Sequence, residues 1–139
     1  MVDATRLRRL LQNVTDELAY LRVERDSATI IAADERRLRA LKYAWVVTIE
    51  GCIDAAHHVC ATEGWGPPES NADTMLVLGR HGVLDRETAA GMASAVGLRN
   101  VLVHRYAEVD DARVVAFLGQ LAVLDVFVAA LSRLIAEPE

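Results

Sequence analysis

Apolar residues recur at helical spacing along most of the chain, and they mark out its elements. Leu7, Leu11, Val14, Leu18 and Leu21 step by 4, 3, 4 and 3, the period of a helix with one buried face. Asp3 is placed to cap it. Asp34 is placed to open a second helix running to about Thr62. Its stripe is Leu38, Leu41, Trp45, Ile49, Cys52, Ala56 and Val59. Gly64, Trp65, Gly66, Pro67 and Pro68 then stop it. A short third helix is predicted from an Asn71 cap through Arg80, ended by Gly82. A fourth opens at Asp85 and carries Met92, Val96 and Leu102. Asp110 and Asp111 open the last, where Val114, Phe117, Leu121, Leu124, Val128, Leu131 and Ile135 keep a heptad seam, the pattern of left-handed bundle packing. The only strand-like run, 101–103, is too short and too hemmed by charge. No repeat or low-complexity tract interrupts the pattern. The prediction is an all-α chain, an antiparallel bundle of four to five helices filling residues 1–139 as one domain.

Composition agrees with one domain: 139 residues, 53% of them apolar, supply one sizeable core. The N-terminus is polar and charged, which predicts no secretory signal. Residues 114–132 are largely apolar and contain no basic residue, as a membrane span would. But Gln120 and Asp125 lie near the middle, and a mid-span Asp costs about 2.5–3.5 kcal/mol, so a buried helix is predicted and no membrane. Cys52 and Cys60, eight residues apart on one helix, have Cα atoms about 12 Å apart, too far for a disulfide. Reduced core thiols fit a cytoplasmic protein.

The formal charge is −5, which by itself argues weakly against nucleic acid. Its distribution changes that picture. Residues 43–79 hold Glu50, Asp54, Glu63, Glu69 and Asp73 and no Lys or Arg. Residues 80–106 hold four arginines against Asp85 and Glu87, with His81 and His104 in addition, and residues 1–42 hold nine Lys/Arg against seven acids. A local cationic cleft is compatible with an acidic whole.

The chemistry concentrates in 98–106, where Arg99, Asn100, His104 and Tyr106 give R-N-x3-H-x-Y. On a helix, Asn100 and His104 are i,i+4 neighbours on one face. Arg99, Val103 and Tyr106 form a second stripe. Leu98, Val101, Leu102 and Arg105 form a third, able to anchor to the core. Arg99 and His104 point about 140° apart on an ideal helix. Either the helix breaks near His104, or two chains pool their residues across a two-fold axis. These groups suit RNA cleavage by the neighbouring 2′-hydroxyl. His104 exchanges protons near neutral pH, and Arg99 supports the phosphate in the transition state. Asn100 bonds His104 or the phosphate and fixes orientation. No metal or other cofactor is required, because the nucleophile belongs to the substrate. By spacing alone, an Arg and a His near a helix end are more often structural.

The stretch resembles the R-x4-H-x-Y motif of HEPN-domain ribonucleases, in particular the HepT-like toxins. The order of its surroundings is also similar over about residues 34–120. Residues 51–59 precede a Gly/Pro loop, 76–84 and 97–100 follow, and 108–111 lead into the last helix. The resemblance implies a HEPN-like helical homodimer, or a higher oligomer, with a composite cleft and metal-independent endoribonuclease activity on RNA. It implies a partner, an MntA-like nucleotidyltransferase antitoxin that transfers AMP to Tyr106. Such a modification would add bulk and negative charge beside Arg99 and His104. Arg105, in the variable position, would then bind RNA or an AMP phosphate. From the residues alone, Asp54 on the second helix is a candidate to support the motif.

Other features carry less. Glu50, Asp54 and His57 share a helix face, but no Cys or His cluster completes a metal site; a polar stripe or an inter-helix ion pair fits better. Asp125 is read as a solvated seam edge, with an arginine partner as the alternative. Tyr43 and Trp45 are read as core or interface aromatics, Trp65 as an exposed anchor for a partner, and Arg6, Arg8 and Arg9 as a solvated face. Two rival functions remain: a non-catalytic helical adaptor that binds and regulates a nucleotidyltransferase, and a bare dimeric bundle.

Overall fold

Each helical register buries one stripe, and the stripes meet in a four-membered ring. The computed structural model describes residues 2–135; Met1 and residues 136–139 of the expected domain lie outside the described residues. In chain order the helices are α1 (Ala4–Arg25), α2 (Ala28–Ala32), α3 (Glu35–Glu63), α4 (Asn71–Arg80), α5 (Arg86–His104), α6 (Asp111–Ala116) and α7 (Leu121–Ser132). Short 3-10 segments cover Tyr106–Glu108, Phe117–Gln120 and Arg133–Ile135. No strand occurs among the described residues.

Contacts fix the ring and its directions. Asp3 N donates to His58 Nε2 at 3.1 Å at one end of the α1–α3 pair, and Arg37 Nη2 donates to Glu24 Oε1 at 2.9 Å at the other. Glu50 meets Arg99, and Lys42 lies beside Tyr106, so α3 and α5 also run antiparallel. α7 closes the ring against α5 and α1. α4 folds back onto α5 and α3, and α2 is a single turn beside α3 and α6.

The local signals explain the helix ends. Asp3 accepts from Arg6 N, Asp34 from Arg36 N and Arg37 N, Asp85 from Thr88 N, and Asp110 from Ala112 N. Each satisfies an orphan donor of a first turn. Gly64 ends α3 at φ +72°, a left-handed conformation that costs glycine little. Gly51 lets α1 approach: a Cβ there would lie 2.9 Å from Val14 Cγ2. The predicted stripes of α1 and α3 are all buried.

Four details differ from the sequence pattern. α2 has no counterpart in it. Ser70 caps α4, accepting from Asp73 N, and Asn71 is its first helical residue instead. The last helix is interrupted by the 3-10 turn at Phe117–Gln120. That turn shifts the seam, so Leu118 and Phe127 are buried while Phe117 and Val128 are only partly so. Phe117 packs edge-on against Trp45 (5.2 Å, 89°), and Trp45 Nε1 donates to Val114 O at 3.1 Å. The buried indole thus fills its polar need from the helix it packs on. Tyr43, unlike Trp45, is exposed and not part of the core.

Asp111–Ile135 is long and apolar enough to cross a membrane by length and composition. Here Val114, Leu118, Leu121, Leu124, Phe127 and Leu131 of that segment are core residues. Asp125 takes the arginine partner: both its carboxylate oxygens accept from Arg22 Nη1, at 2.8 and 3.1 Å. The segment is the fourth wall of the bundle. Cys52 and Cys60 are free and buried, and burial pushes both thiols above their ordinary range, which leaves them poor nucleophiles.

The Thr88 backbone N–H holds the Asp85 carboxyl below its ordinary 3.8. A depressed folded value stabilises the fold above the unfolded value and is lost as pH falls through the folded one. Asp85→Ala should therefore lower Tm by a few degrees at pH 7. The gap to wild type should close as pH falls below 3.8. Thermal melts across that window test this, and a gap that stays constant would contradict it.

Candidate functional site

The site grows from the C-terminal half of α5. Leu98 and Leu102 are buried and lock the helix rotation, which presents Arg99 toward α3. Its side chain is only 17% exposed. The guanidinium is held on two sides. Nε and Nη2 donate to Glu50 Oε2 at 3.2 and 3.0 Å, and Nη1 donates to Asn100 Oδ1 at 3.0 Å. A guanidinium has five N–H donors. Two remain, one on each terminal nitrogen, the arrangement that grips a phosphate at two points.

His104 is the last residue of α5 and is exposed. It has no hydrogen-bond or ion-pair partner among the described residues. Of the two partners expected for Asn100, His104 or the phosphate, His104 is not bonded; the Asn100 carbonyl accepts from Arg99. The helix does break, but only after His104: Arg105 leaves it at φ −138°, ψ 46°. Arg99 and His104 therefore stay on one helix, at positions about 140° apart around its axis. Neither is sealed in the interior.

The break moves Tyr106 off the stripe predicted for it. It lies in the 3-10 turn, 52% exposed, with Lys42 Nζ 5.0 Å from its ring centroid. Lys42 also pairs with Asp111 Oδ1 at 2.7 Å. Arg105 is exposed and, with Arg113, Glu108 and Val101, lines a shallow cavity of about 250 Å³ beside the motif.

Asp54 does not reach Arg99: it is exposed and makes no hydrogen bond or ion pair among the described residues. Glu50, one turn earlier, pairs with Arg99. The sequence put Glu50 on the right helix face, but the pairing depends on how α3 and α5 cross, which residue spacing does not encode. The same packing dissolves the Glu50, Asp54 and His57 constellation: Glu50 turns to Arg99, and His57 Nε2 lies 2.9 Å from Asn71 Oδ1. No group of three His, Cys, Asp or Glu side chains able to hold a metal occurs among the described residues. Trp65 is half-buried and stacked on His81 (4.1 Å, 6°), so it is not a free anchor.

Residues 5–131 match the family described as ribonuclease HepT-like. The chain belongs to that family. It is 33% identical over 61 residues to the mRNA nuclease HepT of Shewanella oneidensis, covering 44% of this chain and 46% of that protein. It is 29% identical over 84 residues to the tRNA nuclease HepT of Aphanizomenon flos-aquae, covering 60% of this chain and 56% of that protein. The chain thus spans about half the length of these curated relatives. A solved structure of a tri-AMPylated Shewanella oneidensis HEPN toxin, in complex with an MNT antitoxin, superposes with TM-score 0.85 at 20% identity. It covers 96% of this chain and 99% of that one. The fold is therefore that of a HEPN toxin.

The Glu50 contact predicts a measurable stiffness. In Glu50→Ala the Arg99 Nε–H loses a charge-assisted bond, and its exchange with water should speed by about tenfold. Side-chain NMR of the arginine Nε–H resonances reads this. Unchanged exchange, with the fold intact, would show that Glu50 does not hold the guanidinium.

Proposed function

We propose that this HepT-like chain is the toxin of a toxin–antitoxin pair, a metal-independent endoribonuclease that acts in the cytoplasm as a homodimer. The observation that carries the reading is the pinned Arg99, with two donors left over, on the same helix as a His104 that has no partner among the described residues. The family membership and the nuclease names of its relatives support it.

In this reading a two-fold axis brings Arg99 of one subunit toward His104 of the other. The 2′-hydroxyl of RNA attacks the adjacent phosphorus. Its proton passes to an imidazole, the bond from phosphorus to the 5′ oxygen breaks, and that oxygen leaves with a proton taken from water. The products are a 2′,3′-cyclic phosphate and a 5′-hydroxyl. Arg99 supports the charge that builds on the non-bridging oxygens. Asn100 and Glu50 position Arg99, and Arg105 adds attraction for the RNA backbone. The nucleophile is the substrate's own hydroxyl, so cleavage should survive EDTA.

Silencing is assigned to Tyr106. A nucleotidyltransferase antitoxin of the MNT kind transfers AMP to it: the phenol oxygen attacks the α-phosphorus of ATP, pyrophosphate leaves with the bonding electrons, and the phenol proton passes to solvent. The AMPylated, MNT-bound toxin of the same fold supports this. The exposure of Tyr106, at 52%, permits it.

The test is cleavage of total cellular RNA in EDTA by wild type, Arg99→Ala and His104→Ala. Wild type should cut, and each variant should lose at least about a hundredfold in rate with its helical spectrum unchanged. Equal cleavage by all three forms would overturn the assignment. Absence of cleavage by any form, with the transferase still bound, would favour the adaptor.

A further inference from the structure

Tyr106 does not stand alone. Its ring lies over a cation that the RNA-cleaving reading does not use. Lys42 is 12% exposed, and its ammonium pairs with one carboxylate, that of Asp111. Beside ring and ammonium opens a groove of about 390 Å³, walled by Ala33 and Leu38 and rimmed by Arg39 and Asp111. That size lies within the range that holds small organic ligands. The groove combines an apolar wall, a half-exposed phenol at its mouth, and two cations each paired with a carboxylate of its lining, Lys42 with Asp111 and Arg39 with Glu35.

We propose that this groove seats the nucleotide carried by Tyr106, and that Lys42 exchanges Asp111 for the nucleotide's phosphodiester. The inference rests on the reading that Tyr106 is the modified residue. The argument is one of charge and place. An ester on the phenol oxygen brings one negative charge to a ring that an ammonium already faces at 5.0 Å. The Lys42 side chain is only 12% exposed, whereas that of Asp111 is 57% exposed, so water competes for the carboxylate. A phosphodiester fixed to the neighbouring turn is held at high effective concentration. Arg39, paired among the described residues only with the exposed Glu35 at 3.1 Å, adds a second cation and a planar face for the base. Lys42 is a positioning residue here: it holds the modified side chain and keeps the phosphodiester away from attack.

The test uses the full chain incubated with ATP, magnesium and an MNT-type transferase, then with a phosphodiesterase, with the adenylyl group on Tyr106 followed by mass spectrometry. Release from Lys42→Met should be about tenfold faster than from wild type, the worth of one charge-assisted bond. Lys42→Arg should restore protection. Asp111→Asn should slow release, because it removes the competitor for the ammonium. A purely structural tie between Lys42 and Asp111 would loosen in both variants and speed release in both; that result overturns the proposal. Equal release from wild type and Lys42→Met overturns it as well, while leaving Tyr106 as the modified residue. Absence of adenylyl on Tyr106 overturns that parent reading and this proposal with it. Loss of RNA cleavage by unmodified Lys42→Met would put the groove on the RNA path and overturn the nucleotide seat.

Discussion

Arg99 and His104 ride five residues apart on one α-helix, and an α-helix turns about 100° per residue. Nothing in the bundle relaxes that constraint. Leu98 and Leu102 are buried on that stretch of helix, Asp85 caps its start, and the break comes only at Arg105. A single subunit therefore carries the two residues at helix positions about 140° apart. In the proposed reading one of the two comes from a second copy, which supplies the missing group to each site.

The remaining polar contacts on α3 fit that arrangement. Glu50 crosses to α5 and stiffens the arginine. Lys42, two turns earlier, ties the turn after α5 to the start of α6. Both pairs are partly solvated, so their worth to global stability is small. Their effect is local: they fix where Arg99 and Tyr106 sit. Stability comes instead from the four apolar stripes, which hold the crossing angle of α3 and α5 and so decide which acid reaches Arg99.

How much of this is legible in the sequence depends on whether a feature is local. The stripes of α1 and α3 and the caps at Asp3, Asp34, Asp85 and Asp110 follow from short-range geometry, and each is visible in residue spacing. So is the cluster of Arg99, Asn100, His104 and Tyr106. The misses share a cause. Ser70 displaces Asn71 as a cap because both residues suit the position and only the backbone chooses. The seam of the last helix moves from Phe117 and Val128 to Leu118 and Phe127 because a 3-10 turn changes the angular step. The pairing of Glu50 with Arg99 and the place of Lys42 beside Tyr106 give no signal, because partners 49 and 64 positions away in sequence are set by helix packing. Tyr106 leaves its stripe because spacing arguments assume a helix that has already ended there.

Complementation between two inactive subunits tests the shared site most directly. A purified heterodimer of Arg99→Ala and His104→Ala chains would contain one site with both groups intact and one with neither. It should recover about half the cleavage rate of the wild-type dimer, while each variant homodimer stays inactive. A heterodimer as inactive as its parents would place both groups in one chain and contradict the account.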